Sequence, residues 1–142
     1  MKDFPCSGAW QPSTAGRGGS DCAELPPTSP ACNVILWSPV DGILVSNTTV
    51  SFWIAAPYEP PASRSFDVEL WVVVGLYDAS GGDDVQLSTG VLEEYGAYQS
   101  HEWVQISCPI PSALNGQLVS LAFRFVGSTA ESIYLDDIYL SE

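Results

Sequence analysis

Basic side chains are almost missing from this 142-residue chain: four Lys and Arg stand against 17 Asp and Glu, a formal net charge of −13. So acidic a surface repels nucleic acid and anionic lipid, which excludes both as partners. Histidine is rarer still, with His101 alone, and no two cysteines have C-x-x-C spacing, so zinc lacks ligands. No apolar run of membrane-spanning length occurs. Nor does a phosphate loop, a dinucleotide fingerprint or a G-x-S-x-G elbow. No apolar signal-type stretch follows Met1-Lys2-Asp3-Phe4-Pro5, and the expectation is a mature fragment or a module of a longer protein.

The few arrangements that suggest catalysis are thin. Ser100, His101 and Glu102 adjoin, but adjacency in sequence is not triad geometry. Glu93-Glu94 is a carboxylate pair, yet neighbours on a strand diverge, and glycoside hydrolysis needs two carboxylates across a cleft. The chain reads as no enzyme.

What is present is apolar and β-forming. Hydrophobic residues make up 46% and charged ones only 15%, enough to build the core of one ordinary domain. Residues 1–31 differ from the rest. Ser13-Thr14-Ala15-Gly16-Arg17-Gly18-Gly19-Ser20 and Pro26-Pro27-Thr28-Ser29-Pro30 are turn-formers, so this segment is expected to be irregular. Three of the four cysteines, Cys6, Cys22 and Cys32, lie in or beside it, with Cys108 far away. An even count in a Lys-poor chain suggests two disulfides formed in an oxidising compartment. Three pairings are open. The preferred one is Cys6 with Cys22 and Cys32 with Cys108, because Cys108 shares its alternation with Val104 and Ile106. Asn47-Thr48-Thr49 is an N-glycosylation sequon, in keeping with an exported protein at the cell surface.

From residue 32 to 142 the chain alternates. Strands are predicted at Val34–Trp37, Thr49–Ile54, Phe66–Tyr77, Val85–Thr89, Trp103–Cys108, Leu118–Val126 and Ser132–Leu140, each rich in β-branched and aromatic residues and bounded by turn-formers. No window shows a helical stripe. The predicted fold is all-β: a two-sheet antiparallel β-sandwich of jelly-roll type, preceded by the disulfide-pinned segment. Val50, Phe52, Ile54, Val68, Leu70, Leu121 and Phe123 would face the core. Trp53, Asp67, Glu69, Trp71 and Arg124 would lie together outside if their strands share a sheet. Such a face could stack on sugar rings and hydrogen-bond their hydroxyls; alternatively a loop or neighbouring domain covers it.

The order of strands carries a resemblance. Leu36-Trp37-Ser38-Pro39-Val40 is followed by Thr49-Val50-Ser51-Phe52-Trp53. Then come Glu102-Trp103-Val104-Gln105-Ile106, the run Asn115 to Phe125, and Ile133-Tyr134-Leu135-Asp136-Asp137-Ile138-Tyr139-Leu140. Over residues 34–142 this resembles the cleaved-adhesin and MAM-like jelly-roll modules, and in its ending several calcium-containing carbohydrate-binding modules. The resemblance implies a non-catalytic extracellular module that adheres to glycans or to protein surfaces. The alternative is a structural subunit of a filament, surface layer or capsid, which would bind copies of itself. The resemblance also implies a structural Ca²⁺ at the closing acidic pair, Asp136 and Asp137. Two carboxylates inside a strand are costly unless a cation or hydrogen-bond donors satisfy them. Asp41, Asp78, Asp83 and Asp84 are further candidate ligands, although the Asp78–Asp84 loop lacks EF-hand spacing and reads more simply as a hairpin turn.

Overall fold

The computed structural model describes residues 10–37, 43–60, 63–74, 84–88, 90–96 and 98–142. Ten strands lie within them: β1 (Gln11–Ser13), β2 (Cys22–Leu25), β3 (Thr28–Trp37), β4 (Ile43–Leu44), β5 (Thr49–Ala55), β6 (Phe66–Val74), β7 (Asp84–Ser88), β8 (Val104–Pro109), β9 (Leu118–Thr129) and β10 (Ile133–Ser141). One short helix, α1 (Val91–Tyr95), joins β7 to β8. The strands form two antiparallel sheets. One has the order β1-β2-β10-β5-β8; the other runs β3-β9-β6-β7, with β4 added beside β9.

The alternation places the core as expected. Val50, Phe52 and Ile54 of β5 meet Val68, Leu70, Leu121, Phe123 and Phe125 of the facing sheet, each 3% exposed or less. Phe52 and Phe123 pack edge to face at 4.9 Å, and Phe66 lies over Phe125 at 6.0 Å. Gly127 in β9 has φ +112°, and a side chain there would run into the backbone of Ser65 and Phe66.

Two expectations are corrected. Part of the N-terminal stretch is regular: β1 and β2 pair as a hairpin, and β2 pairs with β10 through Ala23–Leu135 and Leu25–Ile133. Strands of three and four residues are too short to show a period, and Pro12 is tolerated because β1 is an edge. The Cys32–Cys108 bond does not fit the topology. Cys32 lies in β3, at one edge of its sheet; Cys108 lies in β8, an edge that packs near β7 at the other side. Cys22 and Cys108 are free thiols. Cys6 lies outside the described residues, as do Asp41, Asp78 and Asp83, and the side chains of Cys32 and Asp84 are not described. Among the described residues no helix is long and apolar enough to cross a membrane.

Candidate functional site

The five residues expected on one outer face are divided between two. Glu69, Trp71 and Arg124 do meet, because β6 and β9 are paired neighbours with Glu69 opposite Arg124. Arg124 Nη1 and Trp71 Nε1 both donate to Glu69 Oε1, at 3.2 and 3.0 Å. The side chains of Glu69 and Arg124 are each only 18% exposed. Asp67, on the same strand, is turned to another use. Its carboxylate accepts from the Val68 and Leu92 N–H groups and lies 3.6 Å from Arg64, so it anchors the start of α1. Trp53 belongs to β5 and therefore to the opposite sheet. Alternation alone assigns a side chain to "out" but cannot say out of which sheet.

The outer face around Trp53 carries features that the sequence reading missed. Register places Trp53 between Asp136 of β10 and Gln105 of β8, and Ala55 opposite Tyr134. Trp103, just before β8, approaches Tyr134 with ring centres 6.4 Å apart. Ala55 is small and 3% exposed. With these two aromatic rings it lines an open pocket of about 390 Å³, together with Ala15, His101, Glu131 and Ser132. Its polar lining is hydrogen-bonded: His101 Nε2 and Glu131 Oε1 are 3.1 Å apart, and Ser132 Oγ donates to Glu24 at 2.7 Å; farther along the face Gln105 Nε2 donates to the Tyr139 hydroxyl at 2.9 Å. The two ends of the pocket come from chain segments far apart in sequence, joined only by strand pairing.

At the other end of this face lies the acidic pair. Register between β10 and β5 slips between Asp136 and Tyr139, a bulge in which Asp137 takes φ +47°. The slip puts Asp136 and Tyr139, three residues apart, on the same outer face, and leaves Asp137 aimed at solvent. Asp136 is 7% exposed. Its carboxylate accepts from Arg17 N at 2.8 Å, Ser20 Oγ at 3.0 Å and Asp137 N at 2.7 Å. Gly16 packs so closely on Ser20 and on that carboxylate that a side chain would not fit. Arg17 then reaches outward: Nη1 is 2.6 Å from Asp137 Oδ2, and Cζ sits 3.6 Å from the ring centre of Trp53.

This arrangement bears on the expected calcium. The groups around Asp136 are N–H and O–H donors, and Asp137 faces a guanidinium. A cation needs oxygen acceptors in those places. Among the described residues no cluster of three or more His, Cys, Asp or Glu is placed to hold a metal. As they stand, the residues fit hydrogen bonding and not an ion.

The remaining candidates are surface groups. Asn47 is exposed, with φ +45° in the turn before β5, and exchanges hydrogen bonds with Asn115 at 2.8 and 2.9 Å. Burial pushes the thiols of Cys22 and Cys108 up, each with nearby carboxylates adding to the effect.

No protein-family model and no curated protein matches the chain. Solved structures do resemble it. A cleaved adhesin domain of Lys-gingipain from Porphyromonas gingivalis superposes with TM-score 0.63 at 22% identity, over 95% of this chain and 85% of that one. A structure described as explaining the promiscuous specificity of carbohydrate-binding modules from the β-sandwich superfamily gives TM-score 0.63 at 16% identity, covering 99% of this chain. The chain spans only 56% of the length of that protein. The CBM27-1 module of Caldicellulosiruptor saccharolyticus, solved with mannohexaose, gives 0.57 at 16% identity, covering 91% of this chain and 80% of that one. At such identities the likeness is one of fold: a β-sandwich shared by adhesin domains and carbohydrate-binding modules.

Proposed function

We propose that this chain is a non-catalytic, extracellular carbohydrate-binding module, and that it holds a glycan against the outer face of the five-stranded sheet. The observation that carries this reading is the open pocket over Ala55 between Trp103 and Tyr134. Ligand sites are concave and mostly apolar, with a few convergent polar groups. Here two aromatic side chains can pack on the C–H side of a sugar ring, while His101, Glu131 and Ser132 line the same pocket and offer polar atoms to hydroxyls. Glu131 and Glu24 accept from His101 and Ser132, which suits hydrogen-bonded positioning of hydroxyls. The fold is supported by its likeness to carbohydrate-binding modules. Export is supported by the acidic, Lys-poor composition and the exposed Asn47 sequon.

The test is titration of the protein with short manno-, xylo- and mixed-linkage gluco-oligosaccharides. Trp103→Ala and Tyr134→Ala should each weaken binding about tenfold or more, equivalent to about 1.4 kcal/mol. Trp71→Ala, on the other sheet, should leave it unchanged. Loss of binding in Trp71→Ala alone would move the site to the opposite face. A parent protein that binds none of these sugars would overturn the reading.

A further inference from the structure

The aromatic floor of the pocket does not end at Ala55. Trp53 lies on the same face two residues back along β5, about 7 Å away at roughly 3.4 Å per residue. It is the natural continuation of the surface formed by Trp103 and Tyr134. Yet its ring is roofed by Arg17, whose Cζ stands 3.6 Å from the ring centre.

That roof is anchored and not a casual surface contact. A guanidinium stacked on Trp could swing away at little cost if nothing else held it. Here Asp137 grips it from the side at 2.6 Å. The backbone that carries it is tied down by Asp136, through Arg17 N at 2.8 Å and Ser20 Oγ at 3.0 Å. Gly16 and Ser20 close the same loop, Gly16 N donating to Ser20 O at 2.8 Å. A buried carboxylate, a bulge and a Gly-rich loop all converge on placing one flat cation over one indole.

On the basis of the glycan-binding reading above, we propose that Arg17 is a specificity-determining residue that closes the site at the Trp53 end. The site then accepts a short neutral oligosaccharide or a chain end, and rejects the interior of a long chain. Neutral ligands follow from the charge: Glu131 lines the pocket and Glu24 stands behind Ser132, in a protein of net charge −13, which disfavours uronic or sulfated sugars. Arg17 keeps one side free, being 35% exposed, but its charge is engaged by Asp137.

The experiment is calorimetric titration of the full chain, Arg17→Ala and Arg17→Lys with manno- and xylo-oligosaccharides from disaccharide to hexasaccharide. Affinity of the parent should stop rising at short length. In Arg17→Ala it should keep rising to the hexasaccharide, ending about tenfold tighter than in the parent. Arg17→Lys keeps the pairing with Asp137 and loses the flat stack, so it should fall between the two and guards against misfolding of the alanine variant. Quenching of Trp fluorescence by acrylamide should increase in Arg17→Ala as the Trp53 ring is uncovered. Identical length profiles in parent and variants would overturn the proposal. So would a uniform loss of affinity at every length, which would make Arg17 a sugar contact. A parent that binds oligosaccharides through Trp103 with the same length profile as its Arg17 variants leaves the glycan reading intact and removes only this inference. A parent that binds no sugar removes both.

Discussion

Replacing Asp136 with alanine should destabilise the protein by about 3 kcal/mol. The carboxylate is 7% exposed and accepts from Arg17 N, Ser20 Oγ and Asp137 N at 2.8, 3.0 and 2.7 Å. A stranded buried donor costs about 1–3 kcal/mol. The loop bearing Arg17 and Ser20 is open to water, which puts each near the low end, about 1 kcal/mol. Removing Asp136 relieves repulsion with Asp137 by only about 0.3 kcal/mol, because Asp137 is half exposed and screened by solvent. For a chain of this size each kcal/mol moves Tm by roughly 3–4 °C, so the loss should be about 10 °C. Asp136→Asn keeps one acceptor but turns an NH₂ group toward donors, and should lose about half as much. Urea and thermal melts of parent and both variants, in calcium and in chelator, decide the matter. Both variants within about 0.5 kcal/mol of the parent would refute the idea that donors hold this acid. A difference that exists in calcium and shrinks in chelator would refute it in another way, by showing that an ion holds the pair.

Gly127→Ala should cost about 2 kcal/mol or more, since φ +112° is strained for alanine and its Cβ would meet the Ser65–Phe66 backbone; a urea melt checks this. The Tyr98 hydroxyl donates to Pro57 O at 2.9 Å, and burial pushes its pKa up to about 12 from the usual value near 10. The folded state therefore holds this proton longer than the unfolded state. Its stabilising share is whole below pH ~10 and is lost as pH rises through ~12, and Tyr98→Phe should flatten stability across that window. Cys22 and Cys108 should take up an alkylating reagent in denaturant without reductant, and slowly in the native state at neutral pH because burial raises both thiols; two unreacted sites in denaturant would restore the disulfides.

How legible the molecule was depends on the kind of information. The sandwich was readable because period-2 alternation in Thr49–Ala55, Phe66–Val74 and Leu118–Thr129 is long enough to state a face. The β1–β2 hairpin was not, since Gln11–Ser13 and Cys22–Leu25 are held mainly by pairing to β10 and not by their own pattern. The cluster of Glu69, Trp71 and Arg124 was foreseen because its strands happen to be neighbours. Trp53 was grouped with them because strand order is not written in alternation. The pocket was invisible for a related reason. Ala55, Trp103 and Tyr134 become neighbours only through the registers of β5, β8 and β10, and Ala55 matters by being small. Asp136 was recognised as anomalous, but its partners are backbone N–H groups and a serine in a Gly-rich loop, which no charge pattern reveals.

The position of β10 has a consequence for the order in which the protein can come into being. It is the last strand in sequence and the middle strand of its sheet, with β1 and β2 on one flank and β5 and β8 on the other. Until residues 133–141 leave the ribosome, the β1–β2 hairpin and the β5–β8 pair are separate pieces with open edges at β2 and β5. Neither the Arg17 loop nor the aromatic pocket exists at that stage, because both are built on β10. This sheet is thus held open until β10 inserts as a keystone, through pairings that are non-local in sequence. Removing β10 would part the sheet along its seam, whereas removing β1 would only trim an edge.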